Sequence, residues 1–191
     1  MASEAPRYPR AFGAGAGLLA GGLILGLIGG VAWGFVRPTY TVSFQDGAAV
    51  VDPAASAPSA DFAAIGWLAI ITAVLGMILA AVALLQTRKG EVAGGFSELV
   101  WLILVAGATS LTTFAVGEMT VRALYPVPSH SETPTTEPFA LAPSVEPHVA
   151  LLVAPLVAAA MFWMANFFEL TRLTREQARV EARSEAPALG A

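Results

Sequence analysis

The sequence predicts an all-α fold: a four-helix transmembrane bundle with both termini cytoplasmic and a C-terminal cytoplasmic amphipathic helix. Three observations carry that prediction. Four apolar stretches run over residues 11–36, 62–85, 99–121 and 148–168, each long enough to cross a hydrocarbon core of about 30 Å at about 1.5 Å per helical residue. The composition suits lipid, with 56% of the 191 residues hydrophobic and 13% charged and a mean hydropathy of +0.68. Finally, runs such as Leu18–Ile28 and Ala69–Leu85 lack the period-two alternation that a barrel strand needs. Lipid offers no hydrogen bonds to a bare backbone, so helices are the remaining way to span it.

The first span follows Arg7 and Arg10, as a signal peptide's apolar region would. Its length of about 26 residues exceeds the roughly 7–15 of such a region, and no Ala-x-Ala site follows, so an uncleaved span is expected. It carries Gly13, Gly17 and Gly21, then Gly22, Gly26, Gly30 and Gly34. Residues four apart share a helix face, and without side chains a partner backbone can approach closely. This predicts a packing surface, against the chain's own helices or another subunit. The other reading is glycine's general frequency in membrane helices.

Beyond the span, Tyr40, Val42 and Phe44 alternate with Thr41 and Ser43, which predicts a short strand. Asp46-Gly47 is a hairpin turn signal after it. The loops at 37–61 and 122–147 are rich in Pro, Ala, Ser and Glu, and they read as extended or partner-ordered segments with too little apolar material for a core. Arg37, Tyr40 and Tyr125 are the expected interface anchors, where ring and guanidinium reach the headgroups. Val36-Arg37-x-x-Tyr40-x-Val42 recurs as Val121-Arg122-x-x-Tyr125-x-Val127, and Asp61 matches Glu146 at the same offset. Two tandem hairpins about an axis along the membrane normal would give this pattern; so would simple recurrence of Arg and Tyr at interfaces.

Cytoplasmic flanks are enriched in Lys and Arg. Arg7, Arg10, Arg88, Lys89, Arg172, Arg175, Arg179 and Arg183 fall on one side, leaving only Arg37 and Arg122 on the other. The termini and the 86–98 loop are therefore placed inside the cell, and the protein in the plasma membrane.

In the third span Glu118 is the acid well inside the apolar run, and Arg122 one turn on is its expected ion-pair partner. An intramembrane acid also raises a proton relay or cation site. Thr109, Ser110, Thr112 and Thr113 form a hydroxyl cluster in the same helix, able to bond carbonyls one turn back or to bridge helices. Pro155 should bend the fourth span, because it lacks a donor N–H and crowds the preceding turn. Asn166 lies near that span's inner end. The tail 169–191 reads as a helix with an apolar seam at Leu170, Leu173 and Val180 against Glu169, Arg172 and Glu176. Its acids and arginines balance, which favours docking on protein over lying on lipid.

Several chemistries are excluded. Cysteine is absent, which removes disulfides, thiolate metal sites and covalent haem attachment. The two histidines, His130 and His148, sit in or beside a loop and cannot clamp a haem across the bundle. His130, Glu132, Glu137, Glu146 and His148 could gather a metal only if a Pro-rich loop fixed their geometry, so no metal site is expected. A net charge of −4 gives no basic face for nucleic acid. No Gly-x-Ser-x-Gly, His-Glu-x-x-His or phosphate-binding loop occurs. No cofactor and no small-molecule substrate are therefore expected, and no enzymatic activity.

The Gly/Ala-rich first span ending at Trp33 and Arg37-Pro38, a β-like outer segment, a basic inner loop and a Pro-rich loop before span four together form an outline. In that outline the chain resembles an actinobacterial family of small four-span membrane proteins. The family carries no assigned activity, so the resemblance implies no site. The expected role is a non-catalytic accessory or structural subunit of a larger membrane complex, meeting lipid and other integral membrane subunits. A respiratory supercomplex and a cell-envelope assembly are candidate hosts. The alternatives are a small oligomeric transporter or channel using Glu118 and the Thr/Ser cluster, and an envelope sensor.

Overall fold

Between Ala11 and Val36 the chain has neither proline nor charge, and it runs there as one helix, α1 (Arg10–Val36). Pro38 ends it, since a residue before proline avoids helical backbone. There follow β1 (Tyr40–Gln45), β2 (Ala48–Val51), α2 (Ala60–Arg88), α3 (Phe96–Leu124) and β3 (Phe139–Leu141), then a 3-10 turn at Ala150–Leu152 that leads into α4 (Val153–Glu185). The structure is a computed structural model, and it describes residues 10–45, 48–89, 95–126, 138–147 and 149–185. All four α-helices contain a segment long and apolar enough to cross a membrane, so the mostly helical architecture agrees with the sequence.

α1 and α3 run parallel and share the most intimate contact. Gly15 lies against Trp101, Gly22 against Val105 and Thr109, Gly26 against Thr112, Gly30 against Val116, and Gly34 against Thr120, so the two helices climb together. α2 packs chiefly on α4, and α3 on α4 and α1 on α2 complete the ring. Arg10, Glu185 and the α2–α3 connection therefore share one end of the bundle, and the small sheet caps the other. At the end bearing the termini, Leu18, Leu79, Leu102, Val105 and Phe162 form a buried cluster with small alanines between them. At the sheet end Trp33, Ala64, Leu68, Val145 and Ala150 form a second.

The fourth helix starts deep. Gly76 faces the backbone of Ala154, and a Cβ there would come within 2.6 Å of the Ala154 carbonyl oxygen. Gly76 lies about 24 Å along α2 at ~1.5 Å per residue, so the first half of α2 rises past the start of α4. The irregular chain around Val145 and the 3-10 turn that begins at Ala150 cover it there, and irregular backbone is tolerated at depth only where protein surrounds it. Pro155 is consequently the third residue of α4. In that first turn its missing N–H breaks no intrahelical bond, so the bend expected from it has no cause. After its apolar part α4 continues as helix to Glu185; the side chains of Leu170, Leu173 and Val180 lie outside the described set.

The loops between spans are built more firmly than composition suggested. β1 is the central strand of a three-stranded sheet in the order β2-β1-β3, antiparallel throughout. Val42 opposes both Val51 and Phe139 and is almost wholly buried, while Phe44 stacks on Phe139 at 5.5 Å. Gln45 pairs with Ala48, which leaves two residues for the connection; the turn residues Asp46 and Gly47 lie outside the described residues. Asp52 accepts from the backbone N–H of Ala54 and Ala55, and the Ser56 hydroxyl donates to the Asp52 carbonyl, the local bonding that makes Asp and Ser turn formers. Residues 48–59 and 138–147 thus carry hydrogen bonds from this chain itself.

The matched Arg/Tyr segments do not occupy matched places. Arg37 follows the end of α1 and is buried, whereas Arg122 lies within α3 and is exposed. Tyr40 begins a strand and Tyr125 caps a helix. In the ring α1 and α3 are neighbours rather than opposite one another, as a two-fold axis along the bundle would require, so the fold offers no support for the tandem-hairpin reading.

Candidate functional site

Arg37 organises the sheet end. It follows the last turn of α1, one turn beyond Trp33, and its guanidinium carbon stands 4.8 Å from the centre of the Trp33 ring. One terminal nitrogen donates to Glu118 on α3 and the other to the carbonyl of Pro143, before α4. Trp33, with no exposed surface, donates its Nε1–H to the Ala64 carbonyl on α2 at 2.9 Å. One arginine and one tryptophan thereby tie the end of α1 to α2, to α3 and to the segment that leads into α4. The planar fork of arginine suits this: its two terminal nitrogens reach acceptors set apart while its face stacks on the ring, a geometry that a compact lysine ammonium does not match.

Glu118 is therefore paired across helices with Arg37, not along its own helix with Arg122, which is exposed. Backbone geometry decides between them. Arg37 leaves α1 just where α3 presents Glu118, and that contact also satisfies Pro143. Arg37 is accordingly no headgroup anchor. Tyr40 reaches Asp61 with its hydroxyl at 3.0 Å, and Tyr125 is half-buried at the end of α3.

The hydroxyl cluster is turned inward on itself. Thr109, Thr112 and Thr113 each donate to the carbonyl four residues back, at 2.9 Å. Thr109, Ser110 and Thr113 are buried, and Thr109, Thr112 and Thr113 pack on the α1 glycines. These groups fill the α1–α3 seam.

The seven glycines separate into two faces. Gly22, Gly26, Gly30 and Gly34 meet α3 so closely that an added Cβ would fall within 2.6–2.9 Å of its atoms. Gly13, Gly17 and Gly21 have nothing within 4 Å of that position. Sequence reasoning missed Gly29, on Leu75 of α2, and Gly117, where a Cβ would lie 2.1 Å from the Trp33 ring. A lone glycine carries no four-residue repeat, so no pattern marks it.

A third feature lies at the end bearing the termini. Phe12, Leu18 and Leu19 of α1, Gln86 of α2, and Glu98 and Trp101 of α3 line a cleft of about 460 Å³. Glu98 is 94% buried. Its Oε1 accepts from the Thr87 hydroxyl at 3.0 Å; its Oε2 is buried with no hydrogen-bond partner. Such a buried, unmet acceptor costs about 1–3 kcal/mol, more when charged. Its position just before an apolar run concealed it, since an acid there reads as a solvated helix start. The Trp101 indole N–H donates to the Gly15 carbonyl at 3.2 Å, fixing one wall.

Among the described residues no three His, Asp or Glu side chains gather to hold a metal. His130, Glu132, Glu137 and His148 lie outside those residues, and Glu146 is exposed. The bundle and its apolar, outward-facing side chains point to the class of multi-pass α-helical membrane proteins. Comparison with protein-family models, curated proteins and solved structures found no match to this chain.

Proposed function

We propose that this protein is a non-catalytic integral membrane subunit of a larger assembly, in the plasma membrane with both termini cytoplasmic, a respiratory supercomplex and a cell-envelope assembly being the candidate hosts. One observation supports it above others. The outward surface of α1 near its start carries, beside Phe12, the small residues Gly13, Ala16, Gly17 and Ala20, whereas most outward positions elsewhere on the helices carry larger apolar side chains. Lipid has no need of such a groove, and small residues let a partner helix approach closely. The second glycine ribbon is already spent within the chain, which leaves this one for an outside helix. The transporter alternative loses its parts: Glu118 is tied to Arg37, and the threonines are bonded to their own helix.

The test is purification of the tagged protein in mild detergent, with identification of co-purifying chains, for wild type and Gly17→Leu. The reading expects defined membrane partners that the variant loses while its helix content and melting stay unchanged. A monodisperse homo-oligomer without partners, or partners retained by Gly17→Leu, overturns it.

A further inference from the structure

We infer that the Glu98 cleft binds an amphiphile whose apolar body carries a primary ammonium group. The inference goes beyond the subunit role and does not depend on it. The walls are mostly apolar and aromatic, from Phe12, Leu18, Leu19 and Trp101, with Gln86, Ser97 and Glu98 the polar side chains among them. Among these Glu98 stands out. It is more than nine-tenths buried, one carboxylate oxygen is held by Thr87, and the other is unmet. No basic side chain pairs with it among the described residues. A buried carboxylate held on one oxygen and unpartnered on the other thus lines the cleft, and of the donors that could turn it to account a cationic N–H gives the shorter, stronger bond.

The cleft's position sets the shape of the ligand. It lies where the apolar parts of α1 and α3 begin, beside the α2–α3 connection with Arg88 and Lys89. An ammonium at Glu98 therefore sits at the level of a bilayer's polar boundary, and its apolar body follows Leu18 and Leu19 toward the interior. A quaternary ammonium lacks the N–H that Oε2 requires, and an alcohol lacks the charge. The chemistry fits either the headgroup of phosphatidylethanolamine or a free long-chain amine.

Native mass spectrometry of the intact chain distinguishes these sources. In detergent, dodecylamine is compared with dodecanol; in nanodiscs, phosphatidylethanolamine is compared with phosphatidylcholine. Adducts retained with phosphatidylethanolamine assign the lipid, and adducts with dodecylamine alone assign a free amine; either supports the inference. Glu98→Gln should weaken the adduct about tenfold or more, the scale of a lost charge-assisted bond. Should that variant fold poorly, Ala16→Phe fills the cleft from an exposed position of α1 and leaves the carboxylate in place. It should abolish binding with melting unchanged. Amine binding no tighter than dodecanol together with no preference for phosphatidylethanolamine, or adducts that survive in a folded Ala16→Phe protein, would overturn the inference.

Discussion

Arg37 is a charge withdrawn from solvent at the mouth of an apolar helix, and every interaction it makes repays part of that withdrawal. Losing one partner of a buried pair is far worse than losing both, because the remaining charge stays buried and unmatched. The Glu118 side chain keeps 22% of its exposure, so Arg37→Ala should destabilise the bundle by about 3 kcal/mol, the low end of the range for buried pairs. Arg37→Lys should fall between that variant and wild type, since an ammonium keeps the charge but lacks the planar fork that reaches Glu118 and Pro143 while stacking on Trp33. Adding Glu118→Gln to Arg37→Ala should cost less than the sum of the single changes. Thermal melting of the four proteins in one detergent checks all three statements. Tyr40 gives a pH signature outside the spans. Partial burial, and after it the hydrogen bond to Asp61, hold its hydroxyl above the ordinary value of about 10. A raised folded value means the neutral phenol is favoured by the fold. Its contribution is then complete below pH ~10 and disappears as pH rises through the folded value. Melting of Tyr40→Phe should lack that alkaline decline, measured against wild type between neutral pH and the tyrosinate range.

At the scale of elements, α1 carries two glycine faces with opposite tolerances. Gly26 already touches α3: a Cβ would stand 2.9 Å from the Thr109 carbonyl oxygen and from the Thr112 Cβ. Gly26→Ala must push the helices apart and should cost about 1–3 kcal/mol, the usual range for overpacking. Gly17→Ala meets nothing and should stay within about 0.5 kcal/mol of wild type. A melting comparison of the two variants reads the difference directly. The helices themselves were legible in sequence because a membrane makes length and apolarity nearly sufficient for a helix. Partnership was not legible. Periodicity shows that Gly22 and Gly26 share a face, but only the parallel ascent of α1 beside α3 tells which face is occupied. Glu118 was found as an unusual acid, yet its partner lies 81 residues away, beyond any local spacing rule. β3 stayed hidden because three residues, Phe139–Leu141, are too few to display alternation. The loop that contains it owes its order to β1, which already had its own signal at Tyr40, Val42 and Phe44.

For the whole molecule, the proposed orientation rests on the bundle and its charge pattern taken together. Exposed aromatics gather toward both ends of the helices, with Phe35, Phe62 and Trp67 near the sheet and Phe12, Phe96 and Trp163 near the termini. Interfacial belts are placed this way. Lys89 is the chain's lone lysine, and it lies exposed just after α2. A membrane-impermeant amine reagent applied to intact cells should therefore leave the protein unlabelled and should label it after lysis. Labelling before lysis would reverse the proposed orientation. The sheet end also has a consequence for synthesis. A ribosome delivers Arg37 early, Glu118 only after two further helices are nearly complete, and Pro143 later still. Until then the guanidinium has no carboxylate and no carbonyl to occupy it, and β1 lacks its second neighbour. The clasp thus stays incomplete until Pro143 has been made, and a nascent chain halted after α3 holds the Arg37–Glu118 pair but neither the Pro143 tether, nor β3, nor α4.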